Sequence, residues 1–210
     1  MYTQRQRVLP ALGKEAEVRA QLTDWAKHLQ AQGRNLALLA QLFSAEGPAV
    51  VALTRAEDLN TLDRYRRESL ADADWQARAA RLTPLLRGPV ATVVVENLIP
   101  PGGSGPVGIV HRASGFPALG QERRFRELTE EFVRTRQAAG ARLGMAVRLF
   151  SPIGPVVEVT RVHPDLAALQ QARTAEAEAE ATRQVVESAA ELSRAPIQVR
   201  VFEVLVPFPS

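Results

Sequence analysis

Leu42-Phe43-Ser44-Ala45-Glu46-Gly47-Pro48-Ala49-Val50 returns downstream as Leu149-Phe150-Ser151-Pro152-Ile153-Gly154-Pro155-Val156-Val157. In both stretches an alternating run ends, Gly-Pro turns the chain and an apolar run comes back. Proline lacks the N–H that a central ladder position donates and glycine accepts a positive φ, so each stretch reads as a β-hairpin. The shift from Phe43 to Phe150 is 107 positions, and without a gap it aligns almost the whole 210-residue chain with itself. Roughly a quarter of the aligned positions are identical, which marks a tandem duplication. Each copy has about 100 residues, an ordinary domain size.

Working outward from the hairpins, the strand entering each one alternates. Leu36, Leu38, Ala40 and Leu42, and in the second copy Leu143, Met145, Val147 and Leu149, form a wholly apolar face. The opposite face is mixed, with Asn35, Gln41 and Phe43 in one copy and Arg142, Arg148 and Phe150 in the other. The period of two predicts strands, with helices on the apolar face. Upstream, residues 14–32 carry Val18, Leu22, Trp25 and Leu29 at helical spacing and stop at Gly33; residues 121–139 carry Phe125, Leu128 and Phe132 and stop at Gly140. Short strands open the copies at 1–9 and 107–113. Downstream, return strands at 49–55 and 156–162 lead to second helices begun by Asp58 and Asp165, whose carboxylates suit a helix N-terminus. The first of these is interrupted near Asp72-Ala73-Asp74 and resumes through Trp75; the second meets no breaker between Ala172 and Ala190. Strands at 89–98 and 196–205 close the copies.

Each copy therefore reads β-α-β-β-α-β, the split βαβ arrangement of the ferredoxin-like fold, with both helices on one sheet face. The predicted class is α+β: two tandem ferredoxin-like repeats, residues 1–99 and 107–210, joined by a Pro/Gly linker at 100–106. Two half-covered sheets in one chain are expected to pack face to face as a pseudo-dimeric α/β barrel.

Composition narrows the function. Residues 1–105 hold 13 basic and 11 acidic groups and residues 106–210 hold 13 and 12, so no half carries the basic excess that nucleic acid requires. The chain has no cysteine, which removes disulfides, thiolate metal sites and cysteine nucleophiles. No apolar run is long enough to span a membrane, and the polar first residues do not form a secretory signal, so a cytoplasmic location is expected. Lysine occurs only at 14 and 27 against many arginines, a bias that points to a GC-rich bacterial source.

Asp58-Leu59, Arg64, Arg67, Ala73-Asp74-Trp75-Gln76 and Pro84-Leu85-Leu86, following the Gly-Pro hairpin, resemble the NIPSNAP-like branch of the dimeric α/β-barrel superfamily. The resemblance spans most of residues 1–100 and reaches the second copy through the repeat. It implies a barrel with a central cavity, in a superfamily that includes cofactor-free monooxygenases, haem-degrading enzymes, isomerases and proteins without known activity.

The mixed sheet face supplies the candidate site. In the second copy it gathers Arg142, Arg148, Glu158, Gln198 and Arg200; in the first, Gln41 and apolar neighbours. One polar and one apolar wall suit an amphipathic, anionic small molecule, with Arg148 and Arg200 as its binding groups and Phe43 and Phe150 walling the pocket. The competing reading is structural: counted from a turn at Ile153, Arg148 falls opposite Glu158, and the two form a self-contained ion pair. His111, the one histidine on a strand, is the candidate general base if the protein is a cofactor-independent oxygenase or isomerase. His28 and His163 read as surface residues, Trp25 as core, and Trp75 as core or cavity border. No metal site or cofactor is expected. Three functions stay open: a binder of a small organic molecule, such an enzyme, or an interaction scaffold with a filled barrel. A homodimer is also open.

Overall fold

The computed structural model describes residues 1–44, 46–177 and 179–209. Each copy folds as β-α-β-β-α-β. The first comprises β1 (Tyr2–Val8), α1 (Glu15–Ala31), β2 (Leu36–Leu42), β3 (Ala49–Ala56), α2 (Leu59–Ala71), α3 (Ala73–Leu82) and β4 (Ala91–Ile99). The second comprises β5 (Ile109–Pro117), α4 (Glu122–Ala138), β6 (Leu143–Leu149), β7 (Val157–His163), α5 (Leu166–Ala177), α6 (Glu180–Glu191) and β8 (Ser193–Val206). The strands close in the order β1-β3-β2-β8-β5-β7-β6-β4, an eight-stranded α/β barrel in which each copy keeps the ferredoxin-like order. No helix among the described residues is long and apolar enough to cross a membrane.

The helix boundaries follow their local chemistry. Asp58 accepts from the Thr61 backbone N–H at 2.7 Å and Asp165 from that of Ala168 at 2.8 Å. Gly33 and Gly140 leave α1 and α4 at φ of 81° and 86°, a region other residues enter only under strain. The second copy does break within its predicted uninterrupted helix. Residue 178 lies outside the described residues, but Ala179 is extended and α6 starts after it, at the position matching Asp72 in the first copy.

By contacts the chain divides into two compact units, residues 1–94 with 203–210 and residues 95–202. The repeats and the units differ because each copy's last strand runs from one unit into the other. In the first unit, Val18, Leu22, Ala26 and Leu29 of α1 pack on Val8, Leu36, Leu38 and Val50, joined by Leu82, Leu85 and Val206. In the second, Phe125 and Val133 of α4 pack on Leu143, Met145 and Val157, with Ile99 and Ala189. A matched pair of glutamines ties the strand ends down. Gln30 donates to the carbonyls of Leu36 (2.6 Å) and Pro207 (2.7 Å), and Gln137 to those of Leu143 (2.6 Å) and Pro100 (2.9 Å).

Candidate functional site

The first unit holds a cavity of about 550 Å³ between its sheet and α1, α2 and α3. The alternation of β1 makes the floor: Gln4, Gln6 and Val8 point to the helices while Thr3 and Arg5 are buried on the other side. Register sets three rows across β1, β3 and β2, namely Gln4–Thr54–Leu36, Gln6–Ala52–Leu38 and Val8–Val50–Ala40. The floor is thus polar at one end and apolar at the other. Leu22, Trp25 and Leu29 of α1, Tyr65, Ser69 and Leu70 of α2, and Trp75, Ala79 and Leu82 of α3 form the wall.

The break between α2 and α3 creates that wall. Asp72 ends one helix in an extended conformation and caps the next, accepting from the backbone N–H groups of Asp74 (2.8 Å) and Trp75 (3.3 Å). Arg78 donates to Asp74 at 2.9 Å and holds that carboxyl below the ordinary aspartate range. Together these fix the first turn of α3 and aim Trp75 at Trp25, the rings meeting edge to face at 5.7 Å and 64°. Asp72→Ala is expected to destabilise the fold by about 1 kcal/mol, the usual worth of an N-cap, read as a lower urea midpoint with unchanged slope.

At the polar end stands Arg34, two residues before β2. It donates to Ser69 Oγ at 2.8 Å and its guanidinium lies 5.2 Å from the Tyr65 ring centroid. Arg66 also lines the cavity but is held by Asp63. Among the described residues no Asp, Glu, His or Lys lines the cavity, and no three His, Asp or Glu side chains gather as a metal-ligand set.

The matching place in the second unit is packed. Phe125 stands where the first copy has Val18, and a Cβ on Gly115, the counterpart of Val8, would overlap the Phe125 ring. Arg34, Tyr65 and Trp75 are matched by Ala141, Ala172 and Thr182.

The residues expected from the sequence to form a site lie outside this cavity. Phe43 and Phe150, expected to wall a pocket, are 84% and 85% exposed, at φ of 53° and 52° where the strands end. Gln41 accepts from Arg7, which also pairs with Glu46. Arg142 donates to the linker carbonyls of Pro106 and Gly105 at 3.0 and 3.2 Å. Arg200 donates to Gln198 at 3.2 Å. Arg148 and Glu158 do pair, at 2.8 Å, with Glu158 only 1% exposed. They are not directly opposite, because Ala146 faces Glu158 in the register and Arg148 bonds to Val156. His111 is half-buried on β5 opposite Arg161, in the second unit, and does not line the cavity. His163, expected at the surface, is 7% exposed as the last residue of β7, where its register partner is Ile109. Among the residues singled out in the sequence, Trp25 and Trp75 line this cavity; Gln4, Gln6, Arg34 and Tyr65, which line it too, carry no signal of their own in the sequence.

No family model and no curated protein sequence matches the chain. Its fold is matched by solved structures. A candidate monooxygenase from Fusobacterium nucleatum superposes with a TM-score of 0.75 at 10% identity, over 97% of this chain and 92% of that one. A second candidate monooxygenase, from Lactobacillus acidophilus, gives 0.69 at 8% identity over 99% and 95%. An anthrone oxidase-like protein gives 0.66 at 12% identity over 97% and 91%. At these identities the likeness is one of fold alone.

Proposed function

We propose that the first unit binds a small, flat organic molecule in the cavity between its sheet and α1 to α3. The observation that carries this reading is the Trp25–Trp75 pair standing over a floor graded from polar to apolar. The volume lies within the range of small-molecule sites, and two indole rings supply stacking surface at little cost in side-chain entropy. The arginine-rich, cysteine-free composition favours a bacterial cytoplasmic setting.

A second reading, cofactor-independent oxygenation of the bound molecule, is favoured by the names of the fold's neighbours. Among the described residues the cavity lining offers no carboxylate or imidazole base. A substrate oxidised there must supply its own acidity: an activated ring CH₂ loses a proton, its carbanion reduces O₂, and the carbon leaves as C=O with one water formed. Oxygen uptake with anthrone, whose ring CH₂ is of this kind, tests it, and uptake no faster than in buffer overturns it.

Both tryptophans of the chain line the cavity, so intrinsic emission reports its occupancy. Saturable quenching by a bicyclic aromatic is expected, with affinity falling about tenfold in Trp75→Ala, the equivalent of roughly 1.4 kcal/mol. Emission unchanged by millimolar aromatic compounds would sink the binding reading.

A further inference from the structure

We infer that the cavity takes its ligand as a carboxylate, with the acid at Arg34 and the flat apolar body running toward Val8 and Leu82. This rests on the reading of the cavity as a binding site and adds the charge and orientation of what enters. The charge of the lining is one-sided, two arginines and no acid. Asp63 holds Arg66 and Glu68 stands beside Arg34 only at 3.6 Å, so a partly buried cation whose own carboxylate partner is distant and half exposed favours a negative ligand.

Arg34 is built for that partner. Its side chain is 15% exposed, held by the Ser69 hydroxyl on one nitrogen and lying against Tyr65. Its carboxylate partner, Glu68, stands 3.6 Å away, is half exposed, and also faces Arg64 at 3.8 Å. The guanidinium is thus oriented but not bound in the two-pronged manner that an arginine makes with a carboxylate. Position agrees with charge. Arg34 lies beside the Gln4–Thr54–Leu36 row, the polar end of the floor, whereas the Val8–Val50–Ala40 row is wholly apolar. Gln4 and Gln6 face the cavity from one side of β1, and neither carboxamide has a hydrogen-bond partner among the described residues. They are free to read a second oxygen on the ligand's ring edge, which makes them specificity-determining.

Calorimetric titration of the whole chain at neutral pH with 2-naphthoate and with its neutral isostere 2-naphthamide tests the inference. The carboxylate is expected to bind about tenfold tighter than the amide, a normal return for a charge-assisted bidentate pair. Arg34→Gln should abolish that preference while changing amide affinity less than about twofold, and Arg34→Lys should restore part of it. Glu68→Gln, a surface change that removes the competing anion, should tighten naphthoate binding about twofold. Equal binding of the two compounds, or Glu68→Gln without effect, overturns the charge assignment and leaves the cavity as a binding site. Absence of heat with both compounds, in a chain whose tryptophan emission is also unmoved, overturns the binding reading itself. If Arg34→Gln fails to fold, the naphthoate-to-naphthamide ratio and the Glu68→Gln result decide.

Discussion

Arg148→Met is expected to lower the stability of the chain by about 3 kcal/mol, because it strips a 2.8 Å charged partner from a carboxylate that is 1% exposed. Breaking a buried pair from one side leaves an ion in a medium that solvates it poorly, which outweighs what the pair itself contributes. Adding Glu158→Leu should therefore recover much of the loss, since removing both charges removes the desolvation penalty with them. Urea unfolding of the two variants checks this. A loss below about 1 kcal/mol for the single variant, or no recovery in the double, would contradict the account. The same variant separates stability from binding. Arg148 lies in the second unit and does not line the cavity, so tryptophan quenching by a bicyclic aromatic should be unchanged.

Gly115→Val is expected to destabilise the second unit by about 3 kcal/mol, the upper part of the range for overpacking a core. The position has no room: even a Cβ would overlap the ring of Phe125, a buried residue of α4. The first copy solved the same place with Val8 and Val18, so the valine is acceptable when its partner shrinks. Gly115→Val with Phe125→Val should cost about 2 kcal/mol less than the sum of the single changes, a coupling typical of residues in direct contact. Additive losses in a thermal or urea double-mutant cycle would mean that the two sites do not share the space.

The elements were legible because their signals are local. Gly-Pro at the hairpins, Asp58 and Asp165 at the helix starts, Gly33 and Gly140 at the helix ends, and a period of two in β2 and β6 each follow from a few adjacent residues. The repeat then supplied topology, since two copies of βαββαβ have few ways to hide their open faces. The cavity was not legible, and the reason is physical. Polar residues on a mixed face attract attention, yet Arg142, Arg148 and Gln41 bond to neighbouring groups of the protein. A cavity, by contrast, comes from atoms that are absent: Val18 in place of Phe125 and Ala26 in place of Val133 leave space without a periodic signal. The only trace in sequence is the difference between copies at matched positions. Gln4 against His111, Arg34 against Ala141, Tyr65 against Ala172 and Trp75 against Thr182 all lie on the helix-facing side of the first copy. The registry of Arg148 missed by two residues because a hairpin's turn geometry, not its central residue, sets the pairing.

Gln30 and Gln137 fasten each copy to the tail of the other. Gln30, in the first copy, holds the carbonyl of Pro207, which belongs to the second; Gln137, in the second, holds Pro100, which belongs to the first. The exchange is reciprocal: each copy's first helix holds the tail that leaves the other copy's last strand, so a single kind of bond, made twice, fastens both ends of the repeat. The two copies share this fastening but not their interiors, where Phe125 stands in one and Val18 in the other.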